Sequence, residues 1–144
     1  MFVKEANSPK IISWHQNLTH WGLDDAEEVT FWVAISEAPV EAGCMKFVPS
    51  SHKQRIVAHI DTFSENNLLS RGQEISVNVR EADAVHAALK VGQASMHHGH
   101  LFHASDPNTT YDRCIGTAIR CIKPAMRQED GTKSLFALVA GQDD

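Results

Sequence analysis

Residues 28–36, Glu-Val-Thr-Phe-Trp-Val-Ala-Ile-Ser, alternate strictly. Val29, Phe31, Val33 and Ile35 fall on one side of an extended chain, and Thr30, Trp32 and Ala34 on the other. A period of two marks a β-strand and is wrong for a helix. Runs of similar character recur at 11–21, 44–48, 74–79, 93–105 and 113–122. Between them fall Gly22-Leu23-Asp24-Asp25, Pro39 to Gly43, Pro49-Ser50-Ser51-His52-Lys53 and Asp106-Pro107-Asn108, and Pro124 follows the last. Short strands punctuated by turn residues predict an all-β sandwich or jelly roll. Residues 1–10 read as a loose lead-in and 55–70 as a polar surface excursion. Residues 81–90 favour strand over helix, and 134–140 read as a last strand or a short helix.

The 144 residues suffice for one domain, 1–144, with a real core. A net charge of -5 argues against nucleic acid as a partner, because a phosphate backbone demands a basic face. No apolar stretch is long enough to span a bilayer, and Met1 to Pro9 lack the apolar centre of a signal peptide. A cytoplasmic protein with no membrane partner is expected. Cys44, Cys114 and Cys121 are too widely spaced for a zinc site and too few for a disulfide framework, so reduced thiols are expected.

Histidine is the anomaly. There are 9 in the chain, and His97, His98, His100 and His103 fall within seven positions. His15 and Asn17 stand two apart on a predicted strand and so share a face. A histidine and a carboxylate at that spacing provide two metal ligands from one rigid element, and a third must come from elsewhere, with His103 the best candidate. Asn17 occupies the position where the carboxylate is wanted. Arg113, beyond the Asp106-Pro107-Asn108 turn, suits a dicarboxylate, since a guanidinium binds a carboxylate with two parallel hydrogen bonds. His97, His98 and His100 read as outer contacts supporting the ligands or as strand-surface packing, and His20, His52, His59 and His86 as surface residues. The acidic run Asp24, Asp25, Glu27, Glu28 reads as a solvated loop.

An ordered series of segments resembles the phytanoyl-CoA dioxygenase family of Fe(II)/2-oxoglutarate oxygenases. These are Trp14-His15-Gln16 with Trp21; Thr30-Phe31-Trp32-Val33-Ala34; Gly43-Cys44-Met45-Lys46-Phe47-Val48-Pro49; Ser51-His52-Lys53; Asn67-Leu68-Leu69; Gly92-Gln93; and His97-His98-Gly99 through His103-Ala104-Ser105, then Pro107-Asn108. The resemblance implies a double-stranded β-helix, with Fe(II) held by His15, Asn17 and His103. It implies 2-oxoglutarate bound near Trp32 and Ser105 by the basic residue after Asn108. The implied reaction uses molecular oxygen and hydroxylates a small organic substrate.

The chain departs from the family in three ways. Asn17 replaces an aspartate, and an amide oxygen is neutral and a poorer ligand. The family's 2-oxoglutarate arginine aligns with Cys114, so Arg113 reaches the site only if a bulge shifts the register. Family members are longer, and the part absent here precedes Trp14. An incomplete barrel is therefore expected, with exposed strand edges that invite self-association. Three readings follow: an oxygenase with a weak third ligand; a catalytically impaired relic or binding module on the same scaffold; or a zinc or nickel site built from the 97–103 histidines alone.

Overall fold

The computed structural model of the protein describes residues 1–23, 27–128 and 134–142. The described strands are β1 (Phe2–Lys4), β2 (Ile12–His15), β3 (Glu28–Ala34), β4 (Met45–Phe47), β5 (His59–Asp61), β6 (Gln73–Ile75), β7 (Val85–Ala87), β8 (Ala94–His98), β9 (His103–Ser105) and β10 (Cys114–Ile122). They form two four-stranded sheets, β1-β10-β3-β8 and β2-β9-β4-β7, with β5-β6 as a separate pair. Every pairing is antiparallel, and most neighbours in a sheet are distant in sequence. The all-β fold expected from the sequence is the one formed. The two sheets face one another across a cavity without closing into a complete barrel.

β3 organises the first sheet. β10 pairs with it from Gly116↔Ala34 to Ile122↔Glu28, and β8 flanks its other side. Its inward face is the one that looked less apolar: Glu28, Thr30, Trp32 and Ala34 are buried, while Val29, Phe31 and Val33 lie half-buried on the outer face. The inversion has a simple cause. The space between the sheets is lined for chemistry at one end and filled by small residues at the other. At the filled end Ala34, Ala38, Ala42, Cys44 and Cys114 pack around Trp32. Cys44, Cys114 and Cys121 are all free thiols, as expected; burial pushes the Cys44 thiol up to about 11.

Several elements differ from the sequence reading. The 11–21 strand stops at His15, and Asn17–His20 coil into a 3-10 turn. The 93–105 run is two strands in different sheets, β8 and β9, joined by a turn in which Leu101 N–H donates to His98 O at 2.9 Å. The lead-in contains β1, and the excursion contains β5, which pairs with β6. Residues 81–90 begin with a 3-10 turn before β7. Residues 134–140 are neither strand nor helix and are exposed, so that expectation is corrected. Of the acidic run, residues 24–26 lie outside the described residues, and Glu28 is wholly buried rather than solvated. No described helix is long and apolar enough to cross a membrane.

Candidate metal centre and co-substrate cavity

A cavity of about 100 Å³ lies between the sheets. By that measure a water needs roughly 10–15 Å³, so the space takes one small organic molecule. Of the residues singled out in the sequence, His15, Asn17, Trp32, His103, Ser105 and Cys114 all line it. Arg113 does not. β10 runs in unbroken register past β1 and β3, so no bulge turns Arg113 inward. It is exposed and pairs instead with Glu5 at 2.8 Å.

His15 and His103 are cross-strand partners on β2 and β9, with ring centroids 4.0 Å apart. His15 Nδ1 lies 2.9 Å from Ser13 O, and His103 Nδ1 lies 2.8 Å from Leu101 O. A carbonyl can only accept, so each Nδ1 carries a proton, and in the neutral tautomer Nε2 is the nitrogen that can bind a metal. Such an outer contact fixes the tautomer and orientation of a metal-binding histidine. Both residues are buried.

Gln16 remains extended (φ -121, ψ 134), so the alternation of β2 carries on for one more step and Asn17 returns to the cavity side. Gln16 itself points away and ties down the neighbouring loops. Its Nε2 donates to His100 O at 2.9 Å and its Oε1 accepts from Val57 N–H at 2.9 Å.

The amide of Asn17 is oriented by its neighbours. Thr30 Oγ1 donates its hydrogen to Glu28 Oε1. It must therefore accept from Asn17, whose Nδ2 lies 3.0 Å away. The second Nδ2 hydrogen faces His97 Nε2 at 3.4 Å. Both amide hydrogens are thus committed to the opposite sheet, leaving Oδ1 as the donor atom for a cation. Burial raises the Glu28 carboxyl above its ordinary value, against the Thr30 hydrogen bond and the charge of Arg120.

His97, read from the sequence as either an outer support of the ligands or surface packing, lies against Asn17 and His103 in this site. It is buried on β8, its ring 4.7 Å from that of His103. Burial, with His15 nearby, pushes it down to about 4, so it stays neutral at physiological pH. Among the described residues no group of three His, Cys, Asp or Glu side chains is arranged to hold a metal ion. Asn17, the third donor expected from the sequence, lines the same cavity as His15 and His103. Two imidazoles and an oriented amide oxygen fit a divalent cation, held more weakly than by two imidazoles and a carboxylate.

Other cavity residues escaped the sequence reading. Lys4 lies on β1, opposite Cys114 of β10. It is 5% exposed, and its Nζ donates to Ser105 Oγ, Asp106 O and Gly43 O, the last at 3.4 Å. Gly43 makes this approach possible. Its φ of 70° is left-handed, and a Cβ there would stand 2.1 Å from Asp106 O and 2.9 Å from Lys4 Nζ. Arg120 lines the other end, its guanidinium 4.9 Å from the Trp21 ring. Period-two alternation from Trp32 back to Thr30 and Glu28 could have flagged those two. Nothing in the first ten residues singled out Lys4.

The phytanoyl-CoA dioxygenase family model matches residues 1–114, a span containing His15, Asn17, His103 and Cys114. A phytanoyl-CoA dioxygenase domain-containing protein 1 homolog from Caenorhabditis elegans is 31% identical over 117 residues, covering 71% of this chain and 38% of the relative. The non-heme monooxygenase ThoJ in its apo form superposes with a TM-score of 0.84 at 30% identity, covering 99% of this chain and 51% of ThoJ. EvdO2 from Micromonospora carbonacea var. aurantiaca, complexed with 2-oxoglutarate, shares the fold with a TM-score of 0.74 at 21% identity, covering 91% of this chain and 52% of its own. The chain thus spans about two-fifths of that curated relative and about half of these solved proteins. From Lys4 to Cys114 the matched segments fold around one cavity: this chain belongs to the phytanoyl-CoA dioxygenase family.

Proposed function

We propose that the chain is an iron- and 2-oxoglutarate-dependent oxygenase domain that hydroxylates a small organic substrate. The observation that carries this reading is the His15–His103 pair. The two imidazoles are opposed across adjacent strands at 4.0 Å, and each Nδ1 is tied to a backbone carbonyl. His15 Nε2, His103 Nε2 and Asn17 Oδ1 would hold the metal. A ferrous ion there would supply the coupling of 2-oxoglutarate decarboxylation, with molecular oxygen, to oxidation of a substrate C–H bond.

The remaining roles belong to the protein. Trp32, 9% exposed, walls the cavity and keeps water from its floor. Thr30 and neutral His97 hold the Asn17 amide in one orientation, so its oxygen needs no rearrangement to meet a cation. Ser105 and Cys114 stand further along the cavity, where a co-substrate would extend from the metal.

The test is Fe(II)-dependent conversion of 2-oxoglutarate to succinate by the purified chain, beside Asn17→Asp and Cys114→Arg, singly and together. Turnover by the parent, lost in His15→Ala and His103→Ala, supports the oxygenase. A second reading, a binding module that no longer turns over, is favoured by the neutral pair Asn17 and Cys114. Silence in the parent with activity in the double variant supports it. Silence in every folded variant sinks the oxygenase reading of this chain.

A further inference from the structure

We propose that Lys4 is the cation that takes the remote carboxylate of a dicarboxylate co-substrate, the task that the sequence reading gave to Arg113. The inference rests on the oxygenase reading above and deepens it. Arg113 faces solvent and Cys114 is uncharged, so the cations lining the cavity are Lys4 and Arg120 among the described residues. They differ in what they lack. Arg120 lies over the Trp21 ring and feels the Glu28 carboxylate.

Lys4 is buried, and all its hydrogen-bond acceptors are neutral: a hydroxyl and two carbonyls. It makes no ion pair among the described residues. The carboxylate of Asp106, whose backbone it touches, is committed to Lys46 at 2.7 Å. A buried ammonium without an anion is costly, and a cavity beside it is where an anion would relieve that cost. Burial lowers the Lys4 ammonium to about 8, and the nearby charge of Asp106 offsets only part of that fall.

Spacing agrees. Ser105, which accepts from Lys4, follows His103 by two residues on the same face of β9. Two strand residues advance about 7 Å. A five-carbon 2-oxo diacid can chelate a metal at His103 with its oxo-acid end and lay its far carboxylate against Lys4 and Ser105. A cation reaching in from β1 also explains how the position opposite it on β10 can be a cysteine.

The experiment uses the Mn(II)-loaded chain without oxygen and titrates 2-oxoglutarate against 2-oxobutyrate, which has the same chelating end and no remote carboxylate. In the parent, 2-oxoglutarate should bind more tightly. Lys4→Met should weaken 2-oxoglutarate by about 10–100-fold, the worth of a charge-assisted hydrogen bond, and leave 2-oxobutyrate and Mn(II) unchanged. Lys4→Arg should keep most of the preference. Lys4→Met with Cys114→Arg should restore it, which shows that the site is still folded.

Three results overturn the assignment. The first is a Lys4→Met variant that retains the full preference for 2-oxoglutarate. The second is a Lys4→Met variant that weakens both acids equally, with a fall in Tm, which makes Lys4 a structural tie. The third is loss of the preference in Arg120→Gln and not in Lys4→Met. A parent that binds metal but neither 2-oxo acid refutes the oxygenase reading itself, and the role of Lys4 with it.

Discussion

Asn17 and Thr30 are joined by a hydrogen bond of 3.0 Å that runs from the turn after β2 to β3 in the opposite sheet, and Thr30 in turn donates to Glu28. The direction of that chain decides which end of the amide a metal meets. Asn17→Asp replaces the donor with a carboxylate facing the Thr30 hydroxyl. Thr30 can then donate to only one of the two acids. We expect Mn(II) or Fe(II) to bind at least about 10-fold more tightly, because a neutral ligand becomes anionic. The metal-free variant should lose stability, because Glu28 loses its donor in a buried site. Calorimetric metal titration and apo-protein melting check the two halves separately.

Arg113 is tied to Glu5 on the surface, with both side chains more than half exposed. Exposed pairs are worth about 0–1 kcal/mol. Arg113→Ala is expected to leave 2-oxoglutarate affinity within twofold of the parent and Tm within a few degrees. A tenfold loss of affinity would place the guanidinium in the cavity.

Gly116 lies beneath Trp32, and a Cβ there would come within 2.2 Å of Trp32 Cζ2. The ring packs among small core residues on one side and borders the cavity on the other, so an added methyl must push it toward the cavity or part the strands. Gly116→Ala should cost about 1–3 kcal/mol, seen as a drop of roughly 3–10 °C in Tm, and should alter Trp fluorescence. An unchanged melting curve would show that the ring has room to move.

Lys46 is buried between Glu81 and Asp106, 2.7 Å from each, and sits over the Trp14 ring. The hydrogen bond from Lys46, with another from Trp14, holds the Glu81 carboxyl below its ordinary value. Burial pushes Asp106 up, but Lys46 outweighs it and the net shift is down. Acids lowered by folding add stability above their unfolded values of about 4, and that stability fades as pH falls through the lowered folded values. The parent should therefore lose Tm steeply below about pH 4. In Lys46→Met that acid limb should be flatter. Melting curves from pH 7 to pH 2 compare the two slopes.

How much of this was legible in the sequence depended on distance along the chain. β3 and β10 were visible because period-two alternation is local, and the His15/Asn17 pair because two candidate donors fell on one short run. His97 was left between an outer support and surface packing because its place depends on β8 and β9 parting into different sheets, which turns two histidines of one histidine-rich run toward each other across the cavity. Lys4 was missed because three residues at the start of a chain carry no periodicity; only pairing with β10 makes them a strand. Glu28 was misread because acidic neighbours in sequence suggested solvent, whereas β3 turns its carboxylate inward. The expected role of Arg113 required a bulge, and bulges are set by pairing that a single strand does not reveal.

The donors of the candidate metal site are divided unequally between the two walls. His15 and His103 hang from neighbouring strands of one sheet, whereas Asn17 takes its orientation from Thr30 and His97 of the other. Any ligand or motion that pries the walls apart loosens the amide and spares the imidazoles. Metal affinity at this candidate site would therefore gauge how tightly the sandwich is shut.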